Sequence, residues 1–364
     1  MLAYLLVLVA ATGIVAFSRS QLPGMFPTSK VLAAPPPERE QPALSHARMN
    51  GRIVVANRGS GTLTVIDART DTAEAVSMPA GDKPPEPMYV VYSPVRHRVF
   101  VGDRANSRVV VFHASDMSVE TTIPAGNGVF HMWAGQMWRQ LWVVNDIDKA
   151  ITVIDTRTLK VEVQFPLPAD LVALGGRPHD IIVDPVAPFA YVTMLGFAGA
   201  SDYVIQYDAH SFHEVARQQV GKDPHLTASS LRGSLYVPCQ GSNRVYVLDR
   251  DTLVIESVID VPGAHGAAVS TNGRTFYTTS FPSAGQDALF AIDTKTNMVE
   301  ASSDAPFSTA HNILVAPNGQ RLYVTHSGAN NQVSVYSIRP NGGAPRLLKT
   351  VTAGQNPFGL DFVP

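Results

Sequence analysis

A pattern of about 45 residues recurs along most of this chain, and it constrains the fold more than any other feature. Each copy holds a short apolar strand that ends in a turn, as at residues 99–103, 141–145 and 322–326. The strand that comes next along the chain ends in aspartate, as at residues 63–67 and 245–249. These segments are rich in β-branched and aromatic residues and are bounded by Gly, Pro, Asn and Asp, which is typical of strands.

A further strand opens each repeat, and its copies predict the number of blades. The seven copies start at Met88, His131, His179, His225, His265, His311 and, near the C-terminus, Phe358. The first repeat lacks this strand, so we expect the C-terminal strand to complete it. The chain is therefore predicted to be all-β, a seven-bladed β-propeller over residues 49–364 that is closed by its C-terminal strand and leaves no long open edge.

The ends of two strands carry a recognisable motif. Residues 191–194 read Tyr-Val-Thr-Met and residues 323–326 read Tyr-Val-Thr-His. This pattern resembles the YVTN family of seven-bladed propeller repeats, over about residues 50–364. The resemblance implies the propeller fold, but it says little about function because such folds host many activities.

The N-terminus predicts export. Residues 2–17 form a nearly unbroken apolar run, which is short for a membrane span and fits the core of a signal peptide. Residues 1–18 are therefore predicted to be a signal peptide, with an uncleaved N-terminal anchor as the alternative. Residues 19–48, with three consecutive prolines, are predicted to be a flexible tether. We expect a periplasmic or extracellular propeller, secreted or N-terminally anchored, that meets a membrane only through an uncleaved N-terminus.

Charge and cysteine content narrow the range of partners. Lys and Arg number 28 against 30 Asp and Glu, so no basic surface for nucleic acid is expected. Cys239 is the single cysteine, which excludes an intrachain disulfide. The sequence also lacks the Cys-x-x-Cys-His haem motif, a Gly-rich phosphate loop and a Gly-x-Ser-x-Gly nucleophile motif.

Histidine dominates the starts of the opening strands, where five of the seven copies begin with it. The opening strand of each propeller blade lines the central channel, so we expect these side chains to form a ring at one mouth. A ring of imidazoles repels itself when protonated and needs partners when neutral and buried. A metal ion satisfies both conditions, because it binds the neutral form.

The ends of the second strands extend this predicted ring. They run antiparallel to the opening strands, and three of them end in Met194, Cys239 and His326. The predicted metal ligands are His131, His179, His225, His265, His311, His326, Cys239 and Met194. Imidazole suits several transition metals, and nearby thiol or thioether groups favour copper, with zinc and iron left open. The number of histidines indicates a multinuclear cluster.

The histidine pattern resembles the copper-bearing propellers, namely the catalytic domain of nitrous oxide reductase and thiocyanate dehydrogenase. The ring of nitrous oxide reductase is fuller than this one, which has Met88 and Phe358 in two blades. The resemblance implies a copper-dependent oxidoreductase that acts on a small substrate at the channel mouth and needs an external electron carrier. Asp180 and Trp133 are the candidate catalytic residues, because both lie next to the ring positions.

Other functions stay open on the sequence alone. The propeller is also suited to a non-catalytic periplasmic or cell-surface scaffold for protein partners. A metal-assisted lyase or hydrolase with one histidine as general base is a further alternative. The ring histidines also admit simpler roles, in which they hold water and backbone carbonyls or bind an organic anion.

Overall fold

The computed structural model describes residues 49–135, 139–229, 233–281 and 285–364. Within these ranges the chain forms seven four-stranded antiparallel sheets, which confirms the predicted seven-bladed β-propeller. The predicted signal segment and tether, residues 1–48, lie outside the described residues and stay a prediction. Among the described residues no helix is both long and apolar enough to cross a membrane.

The strands follow one another in chain order, four to a blade. Blade 1 contains β1 (Arg52–Asn57), β2 (Thr62–Asp67), β3 (Ala73–Ser77) and β28 (Pro357–Val363). Blade 2 contains β4 (Pro87–Ser93), β5 (Arg98–Asp103), β6 (Arg108–His113) and β7 (Val119–Pro124). Blade 3 contains β8 (Val129–Gly135), β9 (Gln140–Asn145), β10 (Ala150–Asp155) and β11 (Lys160–Pro166). A short helix, α1 (Ala169–Ala173), leads into blade 4.

The remaining four blades repeat this order. Blade 4 contains β12 (Arg177–Val183), β13 (Phe189–Leu195), β14 (Asp202–Asp208) and β15 (Glu214–Val220). Blade 5 contains β16 (Thr227–Ser229), β17 (Ser234–Cys239), the 3₁₀ turn Gln240–Ser242, β18 (Arg244–Asp249) and β19 (Ile255–Asp260). Blade 6 contains β20 (Ala264–Val269), β21 (Thr275–Ser280), β22 (Gly285–Asp293) and β23 (Met298–Ala305). Blade 7 contains β24 (Ala310–Val315), β25 (Arg321–His326), β26 (Gln332–Ser337) and β27 (Arg346–Thr352).

The C-terminal strand closes the ring as the sequence predicts. β28 pairs antiparallel with β1, so the last strand of the chain becomes the inner strand of the first blade. The inner strands of blades 1, 2 and 3 pack side by side, with β4 in contact with both β28 and β8. Closure by a shared blade ties the two ends of the propeller together and removes the open edge that an incomplete sheet would present.

The core between the blades is built from one repeated position. Six of the second strands carry an aromatic residue at the same register position, and all six are completely buried: Phe100, Trp142, Tyr191, Tyr236, Tyr277 and Tyr323. The second strand is covered on both faces by neighbouring blades, so an aromatic side chain there buries a large apolar area. These residues explain why the Leu-Tyr-Val and Leu-Trp-Val segments recur in the sequence.

Five aspartates that end third strands make turns, as predicted from the repeat. Each accepts hydrogen bonds from the backbone N–H groups two and three residues later: Asp67, Asp155, Asp208, Asp249 and Asp293. Short polar side chains stabilise such turns by bonding their own backbone. These aspartates therefore serve the fold and are not site residues.

Candidate functional site

A β-bulge near the start of the inner strand aims side chains at the channel. In blade 4, Pro178 pairs with Met194 and Ile181 with Val192, so His179 and Asp180 together face one residue of β13. Thr193 Oγ1 accepts a hydrogen bond from the Asp180 N–H at 2.8 Å and fixes the bulge. The corresponding threonines of blades 6 and 7 accept from Gly266 and Asn312. This is the structural role of Thr in the Tyr-Val-Thr motif.

The register corrects one alignment made from the sequence. In blade 3, Val129 pairs with Asn145 and Met132 with Val143, so Phe130 occupies the position that His179 holds in blade 4. His131 is the second bulge residue and corresponds to Asp180. Aligning His131 with His179 was therefore wrong by one residue, because a periodic sequence pattern does not show which residue a bulge displaces.

The structure nevertheless brings all five predicted inner-strand histidines together. Successive ring centroids are 5.2 Å apart for His131 and His179, and 4.7 Å apart for His179 and His225. They are 3.8 Å apart for His225 and His265, and 4.6 Å apart for His265 and His311. Tyr89 and Phe358 complete the circle, with Tyr89 3.8 Å from His131 and Phe358 4.1 Å from His311. We call these seven residues the channel ring.

Three of the channel-ring histidines are arranged as a metal site would require. His131, His179 and His225 each offer a ring nitrogen, and these atoms all lie within 4.8 Å of one another. We call them the histidine trio. His179 Nδ1 and His225 Nε2 are buried without a hydrogen-bond partner in the described part of the chain. Unpaired buried polar atoms are costly, so two such nitrogens within one group of histidines indicate a missing ligand.

Asp180 orients one member of the trio. Its Oδ1 accepts a hydrogen bond from His131 Nδ1 at 2.7 Å, while its Oδ2 accepts from the Leu226 N–H at 2.9 Å. His225 Nδ1 lies 3.9 Å from the same Oδ2. A carboxylate bonded to Nδ1 places the lone pair of His131 on Nε2, as is common behind histidine ligands of metals. Asp180 is a candidate catalytic residue on the sequence alone, and in the structure its carboxylate bonds to His131 of the trio.

Burial and mutual repulsion keep four imidazoles of the channel ring neutral, those of His179, His225, His265 and His311. Burial lowers the pKa of His179 to about 3, and the charge of His131 acts in the same direction. Burial and neighbouring histidines likewise lower the pKa of His225, His265 and His311 well below its usual range. Burial opposes ionisation of Asp180, but the charge and hydrogen bond of His131 hold its pKa below normal. Neutral imidazoles beside one carboxylate form a donor set suited to a transition metal.

These pKa shifts predict that the metal-free protein is destabilised by acid. His179 takes up a proton near pH 6.5 when unfolded but only near pH 3 when folded, so the unfolded state binds more protons between these values. Stability therefore falls as pH falls, by about 2 kcal/mol from His179 alone between pH 7 and pH 5. Urea unfolding of chelator-treated wild type and His179→Gln measures this. The variant should lose about 2 kcal/mol less; equal losses would contradict the assignment.

Tyr89 places a hydroxyl-bearing ring beside the trio, with its centroid 3.8 Å from that of His131. Its hydroxyl oxygen accepts a hydrogen bond from Asn312 Nδ2 at 3.3 Å, so its own proton is available to another acceptor. Burial, with the charge of Asp180, raises the pKa of Tyr89 well above its usual value. Tyr89 therefore acts as a hydrogen-bond donor at neutral pH. Tyr89 is not among the ring residues predicted from the sequence, because the repeat pattern places the adjacent Met88 at the ring position. Met88 instead packs in the core between blades.

A cavity of about 370 Å³ lies in the channel beneath the channel ring. His131, His225 and Asp180 line it at the level of the trio, and Trp133 and Asp361 line it further along the inner strands. Trp133 is 42% exposed, so its indole faces open space in the channel instead of packing between blades. A small molecule in this cavity would contact His131, His225 and Asp180 directly.

The side of the ring at the strand starts is covered by aromatic residues. Phe130 and Phe358 meet there with centroids 6.1 Å apart, and Arg58 and Arg104 each lie 5.6 Å over one of these rings. Phe281 stacks on His265 at 4.7 Å. The ring predicted at one channel mouth is largely buried: His131, His225, His265 and His311 are only 4–6% exposed, and His179 is half-buried. The cavity gives them a second approach.

The other predicted ligands lie apart from the trio. His326 donates from Nδ1 to the Ser308 carbonyl and accepts at Nε2 from Ser334, so both ring nitrogens are engaged. Cys239 is fully buried among apolar residues, and burial raises the pKa of its thiol well above normal. Met194 packs in the core between blades 3 and 4. A residue at the end of a second strand lies beside the inner strand, but its side chain need not point into the channel. The direction of these side chains could not be predicted from the sequence.

The sequence matches one protein family. The family model described as a seven-bladed β-propeller lactonase matches residues 10–257. Among curated proteins, no sequence matches the chain significantly. The likeness to the YVTN repeat and to copper-bearing propellers stays a prediction.

Several solved structures share the fold. A functionally unknown protein from Desulfotomaculum acetoxidans is 10% identical, with a TM-score of 0.68, covering 86% of this chain and 99% of that one. A periplasmic gluconolactonase of Pseudomonas aeruginosa is 18% identical, with a TM-score of 0.66 and coverage of 86% and 99%. Hydrazine synthase of Kuenenia stuttgartiensis is 14% identical, with a TM-score of 0.61 and coverage of 77% and 90%. At these identities the likeness establishes the propeller fold alone.

Proposed function

Because the chain belongs to the seven-bladed β-propeller lactonase family, we propose that it is a metal-dependent hydrolase that opens small cyclic esters in its central cavity. The observation that carries the proposal is the histidine trio, whose ring nitrogens lie within 4.8 Å of one another. His179 and His225 each keep one buried ring nitrogen without a hydrogen-bond partner among the described residues. Three imidazole ligands with a remaining open position are the ligand set of many hydrolytic zinc sites.

The placement of sulfur favours this chemistry over copper redox chemistry. The preference for copper rested on Cys239 and Met194, and both pack in apolar cores away from the trio. Without thiolate or thioether, a three-nitrogen site suits zinc as well as copper. We therefore leave Cys239, Met194 and His326 out of the proposed ligand set and retain His131, His179 and His225.

The side chains of the cavity suit ester hydrolysis. A divalent metal ion held by the trio would polarise a carbonyl and ease deprotonation of water. Asp180 keeps the Nε2 lone pair of His131 directed away from the carboxylate. Tyr89 can donate a hydrogen bond to the carbonyl oxygen as negative charge develops there. Water then supplies OH to the acyl carbon and a proton to the ring oxygen that leaves, so the product is a hydroxy acid.

The similar structure from Pseudomonas aeruginosa is named a periplasmic gluconolactonase, which supports a lactone as substrate and the periplasm as compartment for this proposal. We accordingly propose that this propeller works outside the cytoplasm, as the apolar N-terminal run predicts. A polyhydroxylated or an aliphatic lactone of modest size would fit within the channel cavity of about 370 Å³.

A lactonase assay on metal-depleted protein tests the proposal. The protein is stripped with a chelator, reloaded with one equivalent of Zn²⁺, and assayed for acid release from glucono-δ-lactone and from δ-valerolactone. We expect the zinc form to exceed the stripped form by more than about tenfold on at least one lactone. Equal rates with and without metal on both would reject a metal-dependent lactonase.

A copper oxidoreductase is the second candidate, and one observation favours it. His265 and His311 continue the trio at centroid spacings of 3.8 and 4.6 Å, so five imidazoles line one wall of the channel. This number exceeds the needs of a single zinc ion and would suit a multinuclear copper cluster served by an external electron carrier. Two or more coppers per chain after export into a copper-supplemented periplasm would favour this alternative.

A further inference from the structure

The channel cavity has a second polar feature, well separated in sequence from the trio. Asp361 lines the cavity from the closing strand β28, three residues after Phe358. Its Oδ2 accepts a hydrogen bond from the Tyr92 N–H and its Oδ1 accepts from the Phe362 N–H, both at 2.7 Å. Each oxygen retains a lone pair, so the carboxyl group is anchored by the backbone with acceptor capacity to spare.

This carboxyl group lacks a counter-charge. Within the described ranges no Lys, Arg or His forms an ion pair with Asp361, whereas the buried Asp184 and Asp202 each have one. Burial raises the pKa of Asp361 to about 6, so the group is still largely ionised at pH 7.5. A partly buried carboxylate without a cation is unfavourable unless a ligand supplies the positive charge.

An exposed indole stands at the same level of the channel. Trp133 follows Phe130 by three residues on β8, as Asp361 follows Phe358 on β28. The two strands flank β4, which packs against both. Trp133 lines the same cavity and keeps 42% of its surface exposed. The face of tryptophan is the best aromatic partner for a cation.

We propose that this part of the cavity binds a small organic ammonium group, recognised by the indole of Trp133 and the carboxylate of Asp361. The surrounding wall favours a group with an apolar shell over a hydrated metal cation, because it includes Leu226, Ala268, Leu314 and Leu360. Alkylated ammonium ions combine a positive charge with such a shell, and a carboxylate beside an aromatic face recognises both. If the site serves the substrate, which rests on the proposed function, the substrates are cyclic esters that carry an amine.

Binding of choline and of 3,3-dimethylbutan-1-ol tests the site without any need for turnover. The two probes have nearly the same shape, but only choline is charged. Calorimetric titration at pH 7.5 should show wild-type protein binding choline at least about tenfold more tightly than the alcohol. The preference should fall below about threefold in Asp361→Asn and in Trp133→Leu, while Trp133→Phe, which keeps an aromatic face, should retain part of it.

Matched measurements keep the outcome clear. Thermal melting identifies any variant that fails to fold; because Trp133 is exposed, the Leu and Phe pair decides the matter if Asp361→Asn unfolds. Equal binding of both probes, binding of neither at millimolar concentration, or a preference that survives in both Trp133→Leu and Asp361→Asn would overturn the ammonium site. The titrations are run on metal-free protein and do not depend on turnover. Choline selectivity together with no lactonase activity in the zinc-loaded protein therefore rejects only the hydrolase.

Discussion

Replacing both His179 and His225 by alanine should lower the affinity for zinc or copper by about a thousandfold or more. These residues are two of the three members of the trio, and each keeps one buried ring nitrogen without a hydrogen-bond partner in the described structure. A single remaining imidazole cannot hold the ion, because affinity depends on several ligands fixed around one point. Competition with a chromogenic chelator measures the dissociation constants of wild type and variant.

A matched histidine substitution controls for general effects. His113 ends β6 on the outer part of blade 2, where its imidazole is about half exposed. His113→Ala should bind metal as wild type does. Circular dichroism and melting establish that the double variant is folded, since two imidazoles are lost from a buried site. A folded double variant that still binds one ion per chain with wild-type affinity would show that the trio is not the metal site.

Asp180→Asn should weaken metal binding by about 10- to 100-fold. The substitution keeps the size of the side chain but removes the charge that holds His131 Nδ1–H at 2.7 Å. His131 then loses the partner that fixes its tautomer and raises its basicity as a ligand. The same chelator competition gives the loss in affinity.

The control for this variant lies in the same cavity. Asp361→Asn changes a second carboxylate of the channel that bonds only to the backbone of Tyr92 and Phe362. Its metal affinity should stay within about threefold of wild type, because this carboxylate bonds to no member of the trio. If both variants bind metal equally well, Asp180 does not support the site, and its bond to His131 serves only the fold.

The fold was predictable from sequence because several positions of each repeat carry the same type of residue. Buried aromatic residues recur in the second strands, and Asp turns recur at the ends of the third strands. The inner strand is missing only from the first repeat, where the C-terminal strand supplies it. A strand without a partner in blade 1 and a spare strand at the C-terminus leave one economical solution, which is closure by β28.

The site was only partly predictable, for two physical reasons. A bulge shifts His131 by one residue relative to the other copies, and sequence alignment places it by residue type rather than by register. Strand pairing also does not fix where a neighbouring side chain points, so His326 bonds to Ser308 and Ser334 although its strand end pairs with Ala310 next to His311. Histidine was found because it is rare and recurs; Tyr89 and Asp361 carry no such pattern.

The identity of the metal separates the two functional proposals. A single zinc bound by the trio supports hydrolysis, whereas copper spread over the trio, His265 and His311 supports electron transfer. Both proposals use the neutral imidazoles that burial produces along this wall of the channel.

X-ray absorption at the metal edge of the purified full-length protein tests the central claim most directly. The edge identifies the element, and the extended fine structure counts imidazole ligands and gives their distance. We predict one ion per chain with three imidazole nitrogens at about 2.0–2.1 Å and one oxygen ligand. A protein that carries no metal after purification and reloading, or an ion bound only by oxygen, would contradict a metal centre at His131, His179 and His225.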